Sequence, residues 1–383
     1  MSKKVLIHFG PPKTGTSAIQ RWLQSNSQVL HEQGFFYPQH SVDSNGVSSG
    51  NVLAIYDRAA DRTLSLNQQK IRQLLDQFEQ SRAHTLVLSS EFFFQRLLEL
   101  SNALPTAVFI GYVRSPIELI DSSYNQSVKR HGNAEKIKLR PNVNARPLLQ
   151  LKEYGGQIAR SRLRLRAYLP SSFPQQDILA DFLPSIGVEG YLTKQALVVN
   201  PSYSLEALET KRWFNGFELD ELAHKLDNLM QRYPGEQLDY SFIPADKFEK
   251  FRKQTVSLLR EFRQAVPFYQ ANALINHVRR SQQAPFMEQN IGVEQFSDVV
   301  NYIQAEDPSL YKALCQRVHV NIRNPLYRHD FKAVLPEDKR FKRNFSKLLW
   351  LLKVQVKKLF VGVNSTRAAS GINRCSKGSN DRH

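Results

Sequence analysis

With 383 residues, 41% of them hydrophobic, the chain exceeds one typical domain yet fits a single α/β domain with helical additions; its two cysteines, Cys315 and Cys375, support neither a disulfide framework nor a cysteine metal site. The formal charge of +17 suggests nucleic acid, but residues 339 to 383 hold twelve Lys or Arg and one acid, Asp381, so this tail carries +11 and the remainder only +6, an excess suited to anionic small ligands and not to a nucleic-acid partner. No apolar run approaches the length of a transmembrane helix and the N-terminal one is too short for a signal peptide, so a reducing cytoplasm is the expected setting.

The first element is a strand. Val5, Leu6, Ile7 and Phe9 form an apolar run of the kind buried in a parallel sheet, and Gly10 to Gly15 make a tight turn whose backbone N–H groups can converge on an anion. Lys13 sits inside that turn. Thr16 and Ser17 open the next helix, where unpaired N–H groups and the positive end of the dipole favour phosphate or sulfate. The loop is not a regular Walker A sequence, because Lys13 precedes Gly15 by two residues instead of following a glycine, so an ordinary ATPase or GTPase fits poorly. Taken alone, it can equally be a glycine turn with an incidental lysine.

Ile19, Trp22, Leu23 and Leu30 then share one helical face, with Gly34 placed to stop the helix. Residues 41–51, rich in Ser, Gly and Asn, predict a surface loop, either a plain connection or a border of an acceptor site. A helix follows over 67–82 and a buried strand over 85–89, which delivers Ser89, Ser90 and Glu91 to its C-terminal edge. Ligands of open α/β sheets bind at that edge, so Glu91 is a site candidate; alternatively it favours the N-terminus of the next helix.

Ala107 to Val113 predict another strand, and Ser115, Pro116 and Glu118 combine an N-cap, a proline at the first helical position and a capping box. This places Arg114 where strand becomes helix, with Ser122 about two turns beyond Ser115. A guanidinium and a hydroxyl facing one spot are equipment for a phosphate; the alternative is that Arg114 pairs with an acid and Ser122 packs. Residues 162–169 read as a strand whose Arg162, Arg164 and Arg166 point to solvent or a sheet edge, and 177–187 as a helix ending at Gly187. From 206 to 335 the pattern is largely helical, and Tyr233, Tyr240, Phe242, Phe268 and Tyr269 read as core packing before a sugar site. In the tail, Phe341, Phe345, Leu348, Leu352, Val356 and Leu359 form one stripe with lysines off it. Residues 341–361 are therefore expected to make a cationic amphipathic helix that rests on the inner face of an anionic membrane or packs on the protein.

The order P-K-T-G-T-S, with H-F-G before it and A-I-Q after it, resembles the 5′-phosphosulfate loop of sulfotransferases that use 3′-phosphoadenosine 5′-phosphosulfate (PAPS). R-S-P at 114–116, followed by Ser122 and by Tyr124, resembles the 3′-phosphate site of the same family. The resemblance is clear over residues 4–131 and weaker to about 205. It departs at Ala18, where cytosolic small-molecule sulfotransferases carry an adenine-stacking tryptophan, and in lacking their R-K-G segment, so it is closer to the bacterial and carbohydrate-directed branch.

The resemblance implies an α/β fold with a P-loop NTPase-like parallel sheet flanked by helices and a mostly helical C-terminal extension. It divides the chain into a PAPS-binding core (1–205), a helical extension on the acceptor side (206–335) and a basic tail (336–383). It implies sulfuryl transfer from PAPS to a hydroxyl, or in second place an amine, of a carbohydrate or glycoconjugate acceptor, without a metal. Lys13, Thr14, Gly15, Thr16 and Ser17 would hold the 5′ side, with Lys13 also neutralising charge near the bridging oxygen, while Arg114 and Ser122 would anchor the 3′-phosphate. An attacking hydroxyl must lose its proton, and Glu91, at the same sheet edge, is the expected general base with His8 as competitor. Two other classes stay open: a P-loop nucleotide kinase, and a non-catalytic nucleotide-binding protein of the same fold.

Overall fold

The computed structural model describes residues 3–11, 13–40, 50–191, 203–236, 239–320 and 328–336. The stripe at 341–361 and most of the 41–51 segment lie outside them. The strands are β1 (Lys4–Phe9), β2 (Phe35–Phe36), β3 (Tyr56–Arg58), β4 (Leu64–Leu66), β5 (Thr85–Ser90), β6 (Val108–Val113) and β7 (Leu163–Ala167). Five of them form a parallel sheet in the order β2-β5-β1-β6-β7, and β3 and β4 make a separate antiparallel hairpin. β1 is central and both of its faces are buried, which is why every residue after Lys4 is buried and all but His8 are apolar.

The helices beside the sheet are α1 (Thr16–Ser25), α2 (Ser27–Glu32), α3 (Gln68–Gln80), α4 (Leu97–Ala103), α5 (Glu118–Arg130), α6 (Arg146–Gln157) and α7 (Ile178–Ile186). The C-terminal part is helical: α8 (Leu205–Asn215), α9 (Leu222–Arg232), α10 (Ala245–Ala265), α11 (Ala271–Arg280), α12 (Val293–Glu306), α13 (Pro308–Val320) and α14 (His329–Val334). The fold is thus α/β, a parallel sheet flanked by helices with a helical C-terminal part. Among the described residues no helix is long and apolar enough to cross a membrane.

Strand alternation sorts the core into two faces. Val5, Ile7 and Phe9 of β1 join Leu86, Leu88, Phe109, Leu163 and Leu165 on one face. Leu6, Val87, Ile110 and Tyr112 face the other way, against Ile19 and Leu23 of α1 and Phe182 and Leu183 of α7. The helical part divides between cores. Phe251, Leu259 and Phe262 of α10 and Leu274 and Val278 of α11 pack into the first sheet face, whereas α8, α9, α12, α13 and α14 build a third cluster that also takes Tyr124 and Val128 from α5.

Several local expectations change. The helical face read through Leu30 is split in two, because Asn26 leaves helical geometry (φ −117°, ψ 25°) and its side-chain amide donates to the Trp22 carbonyl at 2.8 Å. The expected capping box at Ser115 does not form: α5 begins at Glu118 after a Pro116–Ile117 turn, Ser115 Oγ is buried without a partner, and the Glu118 carboxylate turns to Arg114 and His277. Of the three β7-region arginines, only Arg164 is exposed. Arg162 donates to the carbonyls of Ser101, Leu104 and Ala107, and Arg166 makes a bidentate pair with Asp181 at 2.7 and 2.8 Å.

Gly50 and Asn51, read as part of a surface loop, are buried. β2 pairs with β5 only at Thr85 and Leu86, so the outer edge of β5 beyond that point needs other partners. Asn51 supplies them: its Oδ1 accepts from Ser89 N at 2.8 Å, its N–H donates to the Ser89 carbonyl at 3.1 Å, and its amide reaches the Val87 carbonyl at 3.3 Å. Gly50 is required by the same contact, since it has a φ of 67° and a Cβ there would lie 1.8 Å from Ser89 O.

Candidate functional site

Parallel register assembles the site. Phe9 pairs with Ser90, so Gly10 and Glu91 leave the sheet side by side; His8 pairs with Ile110, so Arg114 emerges on the other flank of the loop. The loop is tightly built. Thr14 is fully buried and its hydroxyl donates to the Pro11 carbonyl at 2.8 Å, and Gly10 leaves no room for a side chain because a Cβ would lie 1.7 Å from Thr16 Oγ1. Lys13 has a φ of 65°, an uncommon conformation for a residue with a Cβ that costs about 1–3 kcal/mol and persists where surroundings enforce it. Here Arg114 enforces it, donating through Nη1 to the Lys13 carbonyl at 2.5 Å. Ala18 N and Ile19 N donate to the Gly15 carbonyl at 3.0 and 3.2 Å, so the Thr16 and Ser17 N–H groups stand ahead of the first bonds of α1.

Arg114 is held on three sides. Its guanidinium lies over the Tyr168 ring at 4.9 Å, Glu118 stands 3.6 Å from Nε, and Glu118 in turn meets His277 Nε2 at 3.2 Å. Nε is buried without a hydrogen bond. Ser122 lies one helical turn beyond Glu118 and is half-buried; the structure gives no bond between it and Arg114. A cleft of about 420 Å³ opens beside this cluster, lined by Leu169, Ser171 and the His277 and Arg280 side chains of α11.

Glu91 begins a 3₁₀ turn, but Ser90 does the capping, accepting from Phe92 N at 3.2 Å. The Glu91 side chain is exposed, within the field of Lys13, and forms no hydrogen bond or ion pair among the described residues. Desolvation where its carboxyl lies against the protein raises its pKa above the usual carboxylate range, against the opposing pull of His131 and Lys13. Lys13 is pushed down to about 8, first by burial and then by Arg114 and Arg130, with Glu91 opposing.

Sequence reasoning missed the far end of α5. Burial brings Lys129 to about 8, with Lys13 and Arg130 adding repulsion and Asp227 opposing. Lys129 stands over the Tyr203 ring at 4.2 Å, and Arg130 pairs at 3.2 Å with the buried Asp227, to which Tyr203 also donates. Both ends of α5 therefore reach the field of the Lys13 loop. A helix following a parallel strand ordinarily runs back along the sheet, so the run K-R-H at 129–131 reads as dipole-compensating charge, and only the packing of α5 on α8 and α9 reveals its position.

His8 does not reach the surface beside the Lys13 loop. It is fully buried, Nδ1 bonds Ser89 Oγ at 2.8 Å, its ring lies 4.8 Å from that of Phe182, and Nε2 has no partner. Burial holds its pKa down at about 3. The unfolded chain takes up this proton below pH about 6.5 while the folded one does not, so the contribution of neutral His8 is complete above that pH and is lost as pH falls toward 3. Between pH 7 and pH 5, urea unfolding should show wild type losing about 2 kcal/mol more than His8→Gln. Equal losses would remove His8 from the acid response.

Among the described residues there is no group of three or more His, Cys, Asp or Glu that could hold a metal ion. No protein-family model, curated protein or solved structure matches the chain.

Proposed function

We propose that this chain is a sulfotransferase that moves a sulfuryl group from PAPS to a hydroxyl, or in second place an amine, of a carbohydrate or glycoconjugate. One observation carries the reading: the Lys13 loop and Arg114, 101 residues apart in sequence, meet at one sheet edge through a 2.5 Å hydrogen bond, with Glu91 on the loop's other flank. The cradle after the central strand also supports a P-loop NTPase-like reading of the fold.

The residues present suit the cofactor. A loop closed down on Gly10, the Thr16 and Ser17 amides opening α1, the Arg114 guanidinium and the buried Ser115 Oγ without a hydrogen bond are the donor-rich surroundings a bisphosphate needs. When bound, PAPS supplies the activated sulfuryl group and a nucleotide bisphosphate leaving group. Backbone amides from Thr14 to Ser17, including Gly15 and Thr16, would hold the 5′-phosphate, and Arg114 with Ser122 the 3′-phosphate. Lys13 places positive charge beside the bond that breaks; a nearby anion favours its charged form, so its lowered pKa rises again on binding. Glu91 accepts the proton of the attacking hydroxyl. Lys129 and Arg130 add to the positive field at the Lys13 loop, which attracts anions.

The direct test is transfer from PAPS, without added metal, to fractionated host glycans read by mass. A glycan fraction that gains one sulfate with the wild-type chain and none with Lys13→Ala supports the reading. ATP-dependent gain of phosphate with magnesium would replace it with a kinase.

A further inference from the structure

An acid adjoins the groups assigned to the 3′-phosphate. Glu118 opens α5 one turn before Ser122, and its carboxylate stands 3.6 Å from Arg114 Nε. A carboxylate in that place repels a dianion and competes with it for the guanidinium, unless another cation takes up its charge.

The cation facing it comes from the C-terminal helical part. His277 of α11 meets the other carboxylate oxygen, Nε2 to Oε1 at 3.2 Å, while Arg114 meets Oε2. A carboxylate only accepts hydrogen bonds, so Nε2 carries a proton whether the ring is charged or neutral, and the proton that comes and goes is the one on Nδ1. The side chain is 41% exposed and lines the 420 Å³ cleft, which opens the ring to solvent. The hydrogen bond to Glu118 raises the pKa of His277 above the ordinary 6.5; partial burial opposes the rise and the charge of Glu118 adds to it.

The other charges around His277 are arginines, which stay charged throughout. Arg280, one turn along α11, lines the same cleft. From α10, Arg252 donates to the Arg279 carbonyl at 2.9 Å and Arg263 to Asn272; from β7, Arg166 is paired with Asp181. Burial raises the Tyr168 phenol, on whose ring Arg114 lies, above its ordinary range.

We infer that His277 sets the charge of the 3′-phosphate site by acting through Glu118. As imidazolium it cancels the carboxylate and leaves the Arg114 guanidinium to the phosphate, the three side chains together carrying +1; as neutral imidazole it leaves them with none. The grip on a 3′-phosphate therefore loosens as pH rises through the pKa of His277. This role rests on the assignment of Arg114 to the 3′-phosphate, and the test separates the two.

Calorimetry of the full chain with 3′,5′-adenosine bisphosphate and with AMP, from pH 6.5 to pH 8.5, gives an affinity ratio that cancels effects common to both nucleotides. Among these is the titration of Lys13 and Lys129, both brought to about 8. In wild type the ratio is expected to fall about 3- to 10-fold across this window. His277→Gln, which keeps a donor for Glu118 without charge, should hold the ratio near the wild-type value at pH 8.5 throughout. His277→Arg, charged at every pH, should hold it near the value at pH 6.5. The second ionisation of a phosphate monoester, at about pH 6, is common to all three chains. Followed by NMR without nucleotide, the His277 ring should titrate above pH 6.5 in wild type and lower in Glu118→Gln. A wild-type ratio of one at every pH ends the assignment of the 3′-phosphate site itself. A larger ratio that is flat with pH, or that falls as steeply in His277→Gln as in wild type, overturns the role of His277 alone, as does a ring that titrates alike in wild type and Glu118→Gln.

Discussion

Glu91→Gln is expected to lower turnover by about 100-fold or more while binding of 3′,5′-adenosine bisphosphate stays nearly unchanged. The substitution keeps the size of the side chain and removes its capacity to accept a full proton. Nothing in the fold depends on that carboxylate, because Ser90 caps the turn and Glu91 is exposed, so a loss of activity with unaltered stability reads as chemistry. The raised pKa adds a second signature: in wild type the acidic limb of kcat/KM should lie above the ordinary carboxylate range, since turnover appears as Glu91 ionises, and Glu91→Gln should lack that limb. If Glu91→Gln keeps its turnover, Glu91 is not the base; a loss of activity in His8→Ala would report the buried packing of His8 and not proton transfer.

Arg114→Ala should remove most of the preference for 3′,5′-adenosine bisphosphate over AMP, by calorimetry without magnesium, a change of about 10- to 100-fold in the affinity ratio. The ratio matters because Arg114 has two jobs. Losing its bond to the Lys13 carbonyl loosens the loop for both nucleotides alike, whereas losing a contact to the 3′-phosphate affects only the bisphosphate. Arg114→Lys should restore part of the preference, since charge returns without the fixed donor fork. A wild-type chain that binds the two nucleotides equally would end the assignment of the 3′-phosphate site.

The central strands were legible because burial on both faces leaves largely apolar runs, where β1, β5 and β6 appear, and the edge strand β7 from the alternation of Leu163 and Leu165 with arginines. β2 and the β3–β4 hairpin were not, since two or three residues carry no periodicity. Lys13, Glu91 and Arg114 converge as expected because each follows directly on a strand of one parallel sheet. Lys129, Arg130 and His131 were hidden for the opposite reason: their place depends on the course of a whole helix, which local pattern does not encode. The same holds for Asn51, an ordinary loop residue by type that completes a strand edge, and for Glu118, which reads as a cap and instead holds Arg114.

Because α5 belongs to two cores at once, the molecule does not come apart into a binding half and an accessory half. A cut after residue 205 would strip Tyr124 and Val128 of their cover and take α10 and α11 from the sheet. Local opening of the α8–α9 layer is thus tied to the helix that follows Arg114 and carries Ser122, and the region around the anion cradle should melt and exchange its amides as one cooperative unit with helices more than 80 residues further along the chain.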